Sequence, residues 1–151
     1  MSLEYKQIIA RNFTEEELRA LWKTEYCQQE IYTFDNIRVK FFDSNFDHAF
    51  YESSSRKQSP NKKKHKDILS PRRVSRMLWI KDVLADPTAD LRVGYDNKKG
   101  IINTKKRVAI SKGDYVVIIE MTGEKKAAFV TAFVADDSIE KIRQNPRWNL
   151  K

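Results

Sequence analysis

The sequence predicts an α+β fold, with N-terminal helices packed on a four-stranded antiparallel β-sheet meander and a short C-terminal helix. The first observation behind this prediction is a run of β-rich segments in the second half of the chain, separated by short loops that contain glycine. The second is that helical and β patterns occur in separate parts of the chain, since the amphipathic helical patterns precede most of the strands. At 151 residues the chain is long enough to bury one core, so we expect a single domain over 1–151.

The N-terminal part of the chain is predicted to be helical. Thr14 and Glu17 form the capping-box pattern, and apolar side chains then recur at helical spacing to about Gln29. We therefore interpret residues 1–36 as an N-terminal helical extension. Next, apolar and basic side chains alternate from Ile37 onward as in a short strand, and residues 47–52 then have the character of a helical turn.

The segment 54–67 is predicted to be a mobile basic loop. Residues 56–66 include six Lys or Arg and no apolar side chain, so this segment has nothing to bury in a core. The remainder, 68–148, is predicted to form a helix plus the antiparallel sheet core. Its helix begins at Ser70 and Pro71, a capping residue followed by proline at the first helical position, and it ends near Asp86.

The meander is predicted to have four strands, at 91–95, 106–111, 115–121 and 127–135. The loops at 112–114 and 122–126 each contain the glycine that tight hairpins need. A final short helix, capped by Asp136 or Asp137, would present Ile139 and Ile142.

The last predicted strand has two largely apolar faces. Successive strand side chains point to opposite sides, so Phe129, Thr131 and Phe133 are expected to share one face. Helices from elsewhere in the chain can cover one side of the sheet. A second side that shows Phe, Thr and Arg107 is the kind of surface that binds a flat, charged ligand, and we expect function there.

The charge balance favours a polyanionic partner. The chain has 29 basic and 21 acidic side chains, a net charge of +8, and a pI near 9.5, which indicates nucleic acid or, less often, an anionic membrane. Cys27 is the one cysteine, so an internal disulfide is excluded and a reducing cytoplasmic location is the simplest expectation. We expect no membrane association, since the sequence has neither a spanning apolar stretch nor a signal-peptide core.

The sequence predicts neither a metal nor a cofactor. A catalytic metal site usually needs three or more ligands at set spacings, whereas this chain has two histidines and one cysteine without such a motif. Its four glycines stand singly in turns and form no phosphate-binding loop. Cys27 has no neighbour that would activate it as a nucleophile. With metal, nucleotide-cofactor and thiol chemistry set aside, the remaining possibility is acid–base and electrostatic chemistry on an anionic substrate.

His48 is the candidate acid–base residue. It follows Asp47 and lies among aromatic residues, where an imidazole can be held near its neutral-pH range, although a structural or exposed histidine is the plain alternative. His65 falls in the basic segment, where a catalytic group would not be held in place.

Arg107, Lys112 and Thr131 are the candidate groups for a phosphate. A guanidinium within a strand can hold a phosphate through two hydrogen bonds, and Lys112 and Thr131 can add a charge and a hydroxyl donor. The alternatives are a solvated strand face for Arg107, a hairpin lysine and a strand-forming threonine. Glu120 is a candidate general base, or else the ionic partner of Arg107 or a lysine.

A further set of residues is interpreted as binding nucleic acid. For the basic members the alternative is a solvated helix face, and for the tryptophan it is an anchor that pins the C-terminal tail. The set consists of Arg73, Arg76, Lys81 and Trp148.

Several short motifs resemble one known superfamily. They are FDHAFYES, SPRRVSRMLWIKDVLADP, KKRVAISKGDYVVII, AAFVTAFVADD and a closing PRW. Together, over about residues 37–148, they look like the phage-associated branch of the barnase, EndoU, colicin-ribonuclease and RelE-type nuclease superfamily. The chain departs from it in the Lys-rich insertion after Tyr51 and in the absence of a second well-placed histidine.

The resemblance implies a metal-independent endoribonuclease, phage- or toxin-associated, on the predicted fold. His48 would be the acid–base group, Arg107 and Lys112 the phosphate-stabilising cations, and Thr131 the hydroxyl. The 2′-hydroxyl of RNA would attack its own phosphodiester and leave a 2′,3′-cyclic phosphate. RNA is then the expected partner, and a cognate immunity or antitoxin protein is left open as a second one.

Two other functions are compatible with the same residues. The first is a non-catalytic nucleic-acid-binding or phage accessory module, in which the cations bind without cleavage. The second is an interaction module whose basic loop becomes ordered on an acidic protein partner. The sequence leaves the oligomeric state open.

Overall fold

The computed structural model describes residues 7–52, 68–96, 101–135 and 139–143. The helices in these ranges are α1 (Glu15–Trp22), α2 (Asn45–Phe50), α3 (Pro71–Val74), α4 (Trp79–Ala85) and α5 (Ile139–Arg143). The strands are β1 (Ile31–Tyr32), β2 (Arg38–Lys40), β3 (Tyr51–Glu52), β4 (Ile68–Leu69), β5 (Asp90–Asp96), β6 (Ile101–Lys112), β7 (Tyr115–Gly123) and β8 (Lys126–Val134). The chain therefore has the α+β character that the sequence predicts.

The first helix begins where the capping box predicts. Thr14 Oγ1 accepts a hydrogen bond from Glu17 N at 3.1 Å, and Thr14 N donates to Glu17 Oε1 at 2.9 Å. A π-helical turn, Lys23–Cys27, continues α1. Trp22 and Tyr26 are fully buried, so this segment contributes to the core and is more than a peripheral extension.

The helix predicted from residue 70 to residue 86 is divided into two. The predicted start is confirmed, because Ser70 Oγ accepts from Arg73 N at 3.3 Å and Pro71 occupies the first helical position. Between α3 and α4, Met77 N donates to Val74 O, three residues back, which tightens the chain into turns. The tighter winding brings Val74 and Met77 to the same buried side.

The predicted meander is confirmed, but it is part of a larger sheet. In the described part of the chain the strand order is β1-β2-β8-β7-β6-β5, and β5 to β8 are antiparallel neighbours. β2 adds to β8 in parallel and β1 adds to β2 in antiparallel fashion. The prediction of a four-stranded, wholly antiparallel sheet therefore missed two strands and one parallel pairing. β2 is only three residues long, and its pairing with β8 is a long-range contact that local patterns do not encode.

A separate short ribbon flanks the segment that was predicted to be a mobile loop. β3 and β4 pair antiparallel, with Tyr51 opposite Leu69. The predicted basic loop, 54–67, lies outside the described residues.

One side of the large sheet, here called the core face, packs under the helices. Its buried residues alternate along the central strands and form a cluster with buried residues of α1, α2, α3 and α4. Those central-strand residues are Val108, Ile110, Tyr115, Val117 and Ile119. We call the opposite side the outer face.

A β-bulge in β8 changes which side chains share a face. Ile118 pairs with Thr131, whereas Ile119 pairs with Phe129, so Val130 is an extra residue on β8. Because one extra residue reverses the alternation, Phe129 points into the core and Thr131 to the outer face. Phe129 accordingly stacks on Phe41, with ring centroids 5.0 Å apart. The prediction that Phe129 shares a face with Thr131 was wrong.

The C-terminal helix α5 covers part of the outer face. Ile139 and Ile142 pack against a small buried cluster that consists of Ala109, Val116 and Ala135. This confirms the predicted helix and its two apolar residues. Toward β1 and β2, the outer face instead carries exposed side chains such as Tyr32 and Arg38.

In the part of the chain that the structure describes, every helix is too short or too polar to cross a lipid bilayer.

Candidate active site on the outer face

Helix α2 lies against the open edge of β8. β2 pairs with β8 only as far as Lys40 opposite Ala128. At the next residue of β8, Asn45 Nδ2 donates a hydrogen bond to Phe129 O at 3.4 Å. The start of α2 therefore lies beside β8 just beyond the point at which the pairing of β2 with β8 ends.

The helical period places His48 on the exposed side of α2. The buried side of α2 consists of Phe46, Ala49 and Phe50. On one flank, Asp47 Oδ1 accepts from Arg19 Nη2 of α1 at 2.6 Å, and on the other flank Asn45 reaches β8. His48 follows Asn45 by three residues and is exposed, so it shares the flank of Asn45.

Asp47 is committed to Arg19 and lies on the opposite flank from His48. The guanidinium of Arg19 also lies over the ring of Phe46, 4.6 Å from its centroid. The hydrogen bond that Arg19 donates to Asp47 raises the pKa of Arg19 above its ordinary value, although burial opposes the shift. The structure therefore provides no support for Asp47 as the group that orients His48.

Thr131 and Arg107 lie on the same face of the sheet. Thr131 pairs with Ile118 and Arg107 pairs with Glu120, and these two β7 residues are two positions apart. Two strand spacings of about 4.8 Å and an offset of two residues along the strands separate the backbones of Thr131 and Arg107 by about 12 Å. The outer face thus brings the predicted hydroxyl and the predicted guanidinium to one surface.

Arg107 pairs with Glu120, as one of the two interpretations of Glu120 predicted. Arg107 Nε lies 3.8 Å from Glu120 Oε1, and the arginine side chain is only 18% exposed. Nε itself is buried without a hydrogen bond to the described residues. At 3.8 Å the pair is too long for a hydrogen bond, so the contact between Arg107 and Glu120 is an ion pair.

Lys112 is not brought to this surface. It alternates with Val108 and Ile110 and so belongs to the core-face side of β6. Its Nζ lies 3.3 Å from Asp86 Oδ2 and donates to Thr88 Oγ1. The expectation that Lys112 stands beside Arg107 at a phosphate does not agree with this placement, because the two residues are an odd number of positions apart on β6 and their side chains therefore point to opposite faces.

Lys40 is an outer-face cation that the sequence reasoning did not single out. It is exposed and pairs with Ala128 of β8, next to the edge where α2 docks. Its Nζ lies over the ring of Phe42, 5.3 Å from the centroid. The signal for it was the alternation of Lys40 with buried Val39 and Phe41, which places its side chain opposite the core.

The predicted nucleic-acid-binding residues are mostly occupied within the molecule. Arg73 Nη1 donates to Ala49 O at 3.3 Å, next to His48 in the sequence of α2. The Arg76 guanidinium lies over Trp79. Lys81 Nζ bonds Glu25 at 3.0 Å. Of these, Arg73 is the one that the structure brings to α2. Trp148 and His65 lie outside the described residues.

Ala128 is a small residue at the centre of these groups, and we call the surface above it the hollow. Its outer-face neighbours across the strands are Lys40 and Glu120, and Thr131 follows it along β8. Its methyl side chain takes up less space above the sheet than the longer side chains of Lys40, Glu120 and Thr131 beside it. Among the described residues, no group of three carboxylate, imidazole or thiol side chains is arranged to hold a metal ion.

Cys27 has the character of a packed thiol. Burial raises its pKa to about 11, and the carboxylate of Asp43 acts in the same direction. A neutral thiol is a poor nucleophile, in agreement with the sequence interpretation.

Comparisons with protein-family models, with curated proteins and with solved structures found no match for this chain.

Proposed function

We propose that the protein is a metal-independent endoribonuclease that binds RNA at the hollow over Ala128. The observation that carries this proposal is the docking of α2 on the β8 edge through Asn45 and Phe129. It brings the helix that carries His48 to the edge of the strand that carries Thr131, a residue whose side chain shares the outer face with Arg107. The short motifs that resemble metal-independent ribonucleases point to the same residues.

Four side chains take part in the proposed reaction, each with its own role. The ribose 2′-oxygen loses its proton and bonds to phosphorus, while the 5′-oxygen of the next nucleotide leaves and takes up a proton. In the proposed reaction His48 and Glu120 are the two proton-transfer groups, which an in-line displacement needs on opposite sides of the phosphorus. Thr131 donates to a phosphate oxygen and Arg107 stabilises the added negative charge.

The test is cleavage of a mixed-sequence RNA in EDTA across acid to neutral pH. We expect products that end in a 2′,3′-cyclic phosphate, and no cleavage of an otherwise identical strand with 2′-deoxyribose. His48→Ala should lower the rate by about 100-fold or more, the usual contribution of general acid–base catalysis. Asp47→Ala is the matched control, since Asp47 is the adjacent exposed residue on the other flank and its loss should leave the rate nearly unchanged.

Two results would overturn the proposal. One is the absence of cleavage at every pH tested, and the other is equal cleavage by wild-type protein and His48→Ala. Persistent cleavage in both would indicate a contaminating nuclease or a different catalytic residue.

The second candidate function is RNA binding without cleavage. It is favoured by one observation, that Lys112 is held at Asp86 and leaves the surface one cation short of the predicted set. Salt-sensitive RNA binding by a protein that never cleaves, unchanged in His48→Ala, would select this candidate.

A further inference from the structure

The outer face continues beyond the hollow into a strip of exposed basic and aromatic side chains. This strip, here called the basic strip, consists of Tyr32, Arg38, Lys40, Phe42 and Lys126. Tyr32 is 43% exposed and Phe42 is 44% exposed, which is unusual for aromatic side chains with a core available nearby.

The strand register places one row of the strip across three strands. Tyr32 pairs with Arg38, and Arg38 pairs with Lys126. With strands about 4.8 Å apart, the row spans about 10 Å of flat sheet surface. Val39 and Ala127, the next residues along β2 and β8, are buried, so the row points away from the core.

The cations of the strip are available to a ligand. Arg38 Nη2 lies 3.8 Å from Glu30 Oε1, with both side chains more than half exposed at 56% and 66%. An ion pair this exposed is screened by water and contributes little stabilising free energy, so the guanidinium can exchange Glu30 for a phosphate. Lys126 is exposed at the start of β8, and Lys40 lies over the face of Phe42.

The chemistry of the strip fits single-stranded nucleic acid better than other polyanions. Aromatic faces on an open sheet stack unpaired bases, and cations between them contact the phosphates. A duplex keeps its bases inside, and an acidic peptide or an anionic lipid surface offers no ring for Tyr32 or Phe42 to stack on.

We propose that the basic strip binds the single-stranded RNA segment that flanks the position over Ala128. The role as a flanking site rests on the proposed ribonuclease function, whereas the binding itself does not. Tyr32 stacks a base, and Arg38 and Lys126 contact the phosphates on either side of it. The strip thereby selects unpaired RNA and orients it toward the hollow.

The test measures binding of a labelled single-stranded 12-nucleotide RNA by fluorescence anisotropy as salt is raised. All variants carry His48→Ala, so that cleavage cannot distort the measurement. The charge variant is Arg38→Ala with Lys126→Ala. The matched control removes two exposed cations on the helical side, Arg11→Ala with Lys23→Ala.

We expect the charge variant to bind more weakly and to show a salt slope shallower by about 1.4, since each phosphate contact on a single strand contributes about 0.7. Tyr32→Ala should weaken binding at least about fivefold, the low end for loss of one stacked base, while changing the salt slope little. The control should resemble the parent.

The proposal is overturned if the charge variant and the control lose affinity equally, or if Tyr32→Ala binds as the parent does. Equal binding of a duplex of the same length, or binding of anionic vesicles with the same variant dependence, would also overturn it. Loss of binding in the strip variants without any cleavage by wild-type protein would uphold the strip and reject the ribonuclease proposal. Cleavage by wild-type protein, together with unchanged RNA binding by the strip variants, would uphold the ribonuclease proposal and reject the strip.

Discussion

Burial sets the acid–base behaviour of two core tyrosines. Tyr26 donates its hydroxyl hydrogen to Met77 O and accepts from Lys81 N, and the Tyr115 hydroxyl donates to Arg76 O at 3.3 Å. Both side chains are almost completely buried. Burial raises the pKa of each phenol above its ordinary value of 10.0, because a buried phenolate would lose its hydration.

The protein should therefore lose stability in alkaline solution. Above pH 10 the unfolded chain releases the two phenolic protons that the folded chain keeps, so the free energy of unfolding falls as pH rises. Below pH 10 both tyrosines are protonated in the folded and the unfolded state, so they add no pH dependence to the free energy of unfolding. Each tyrosine should contribute a slope of about 1.4 kcal/mol per pH unit. Urea unfolding at pH 8 to 11 measures it.

Tyr115→Phe is the variant that isolates one of these contributions. It should be less stable than wild type near neutral pH, because the hydrogen bond to Arg76 O is lost, but its stability should fall less steeply above pH 10. A slope identical to that of wild type would show that Tyr115 is not the titrating group.

At the scale of single elements, the position of α2 depends on Asn45. Its side chain accepts from Phe42 N at 2.7 Å and donates to Phe129 O at 3.4 Å. The first bond fixes the turn that begins α2, and the second ties α2 to the β8 edge. Ser44, the residue before, does not cap the helix with its side chain.

Asn45→Asp should separate these two bonds. The carboxylate can still accept from Phe42 N but cannot donate to Phe129 O, so we expect a loss of about 1 kcal/mol in unfolding free energy. RNA cleavage should fall at least about tenfold, since small displacements of a catalytic group are costly. Ser44→Ala is the control and should change neither quantity. Unaltered cleavage by a folded Asn45→Asp protein would argue against a catalytic role for the α2 edge contact.

At the scale of the whole molecule, the N-terminal segment and the C-terminal strands form one core. Leu18, Trp22 and Tyr26 are buried in the same cluster as residues of β6, β7 and β8. The ring of Trp22 contacts the rings of Phe50 and Phe129 at centroid distances of 5.2 Å and 5.5 Å. The parallel pairing of β2 with β8 joins the two ends of the chain a second time.

A chain that lacks residues 1–36 should therefore fail to fold. Loss of one large buried aromatic side chain costs about 3–5 kcal/mol, and this truncation removes several buried side chains from a domain whose total stability is about 5–15 kcal/mol. Near-UV circular dichroism and urea unfolding would show no cooperative transition. A native-like transition in the truncated chain would mean that residues 1–36 are not needed for the core to form.

Much of the architecture could be predicted because its signals are local. The capping box of Thr14 and the Ser70-Pro71 start are readable within one helical turn. The hairpin glycine Gly113 is in the left-handed region, with φ of 61°, which explains why that loop was recognisable. The shared outer face of Thr131 and Arg107 followed from strand alternation.

Two features of the site could not be predicted in this way. The bulge at Val130 is one extra residue without a sequence signal of its own, and it moved Phe129 into the core. Lys112 was assigned to the phosphate by its nearness to Arg107 in the sequence, but its actual partner, Asp86, precedes β5.

The amino-acid order by itself determined most of the helices, the meander and the positive charge, since each follows from side-chain period and composition over a few residues. Only the tertiary structure decided that β2 joins β8, that α2 then docks on the exposed edge, and that an open basic strip continues from the hollow. These depend on long-range pairing, in which residues far apart in the chain compete for the same strand edge, and no local pattern records the outcome of that competition.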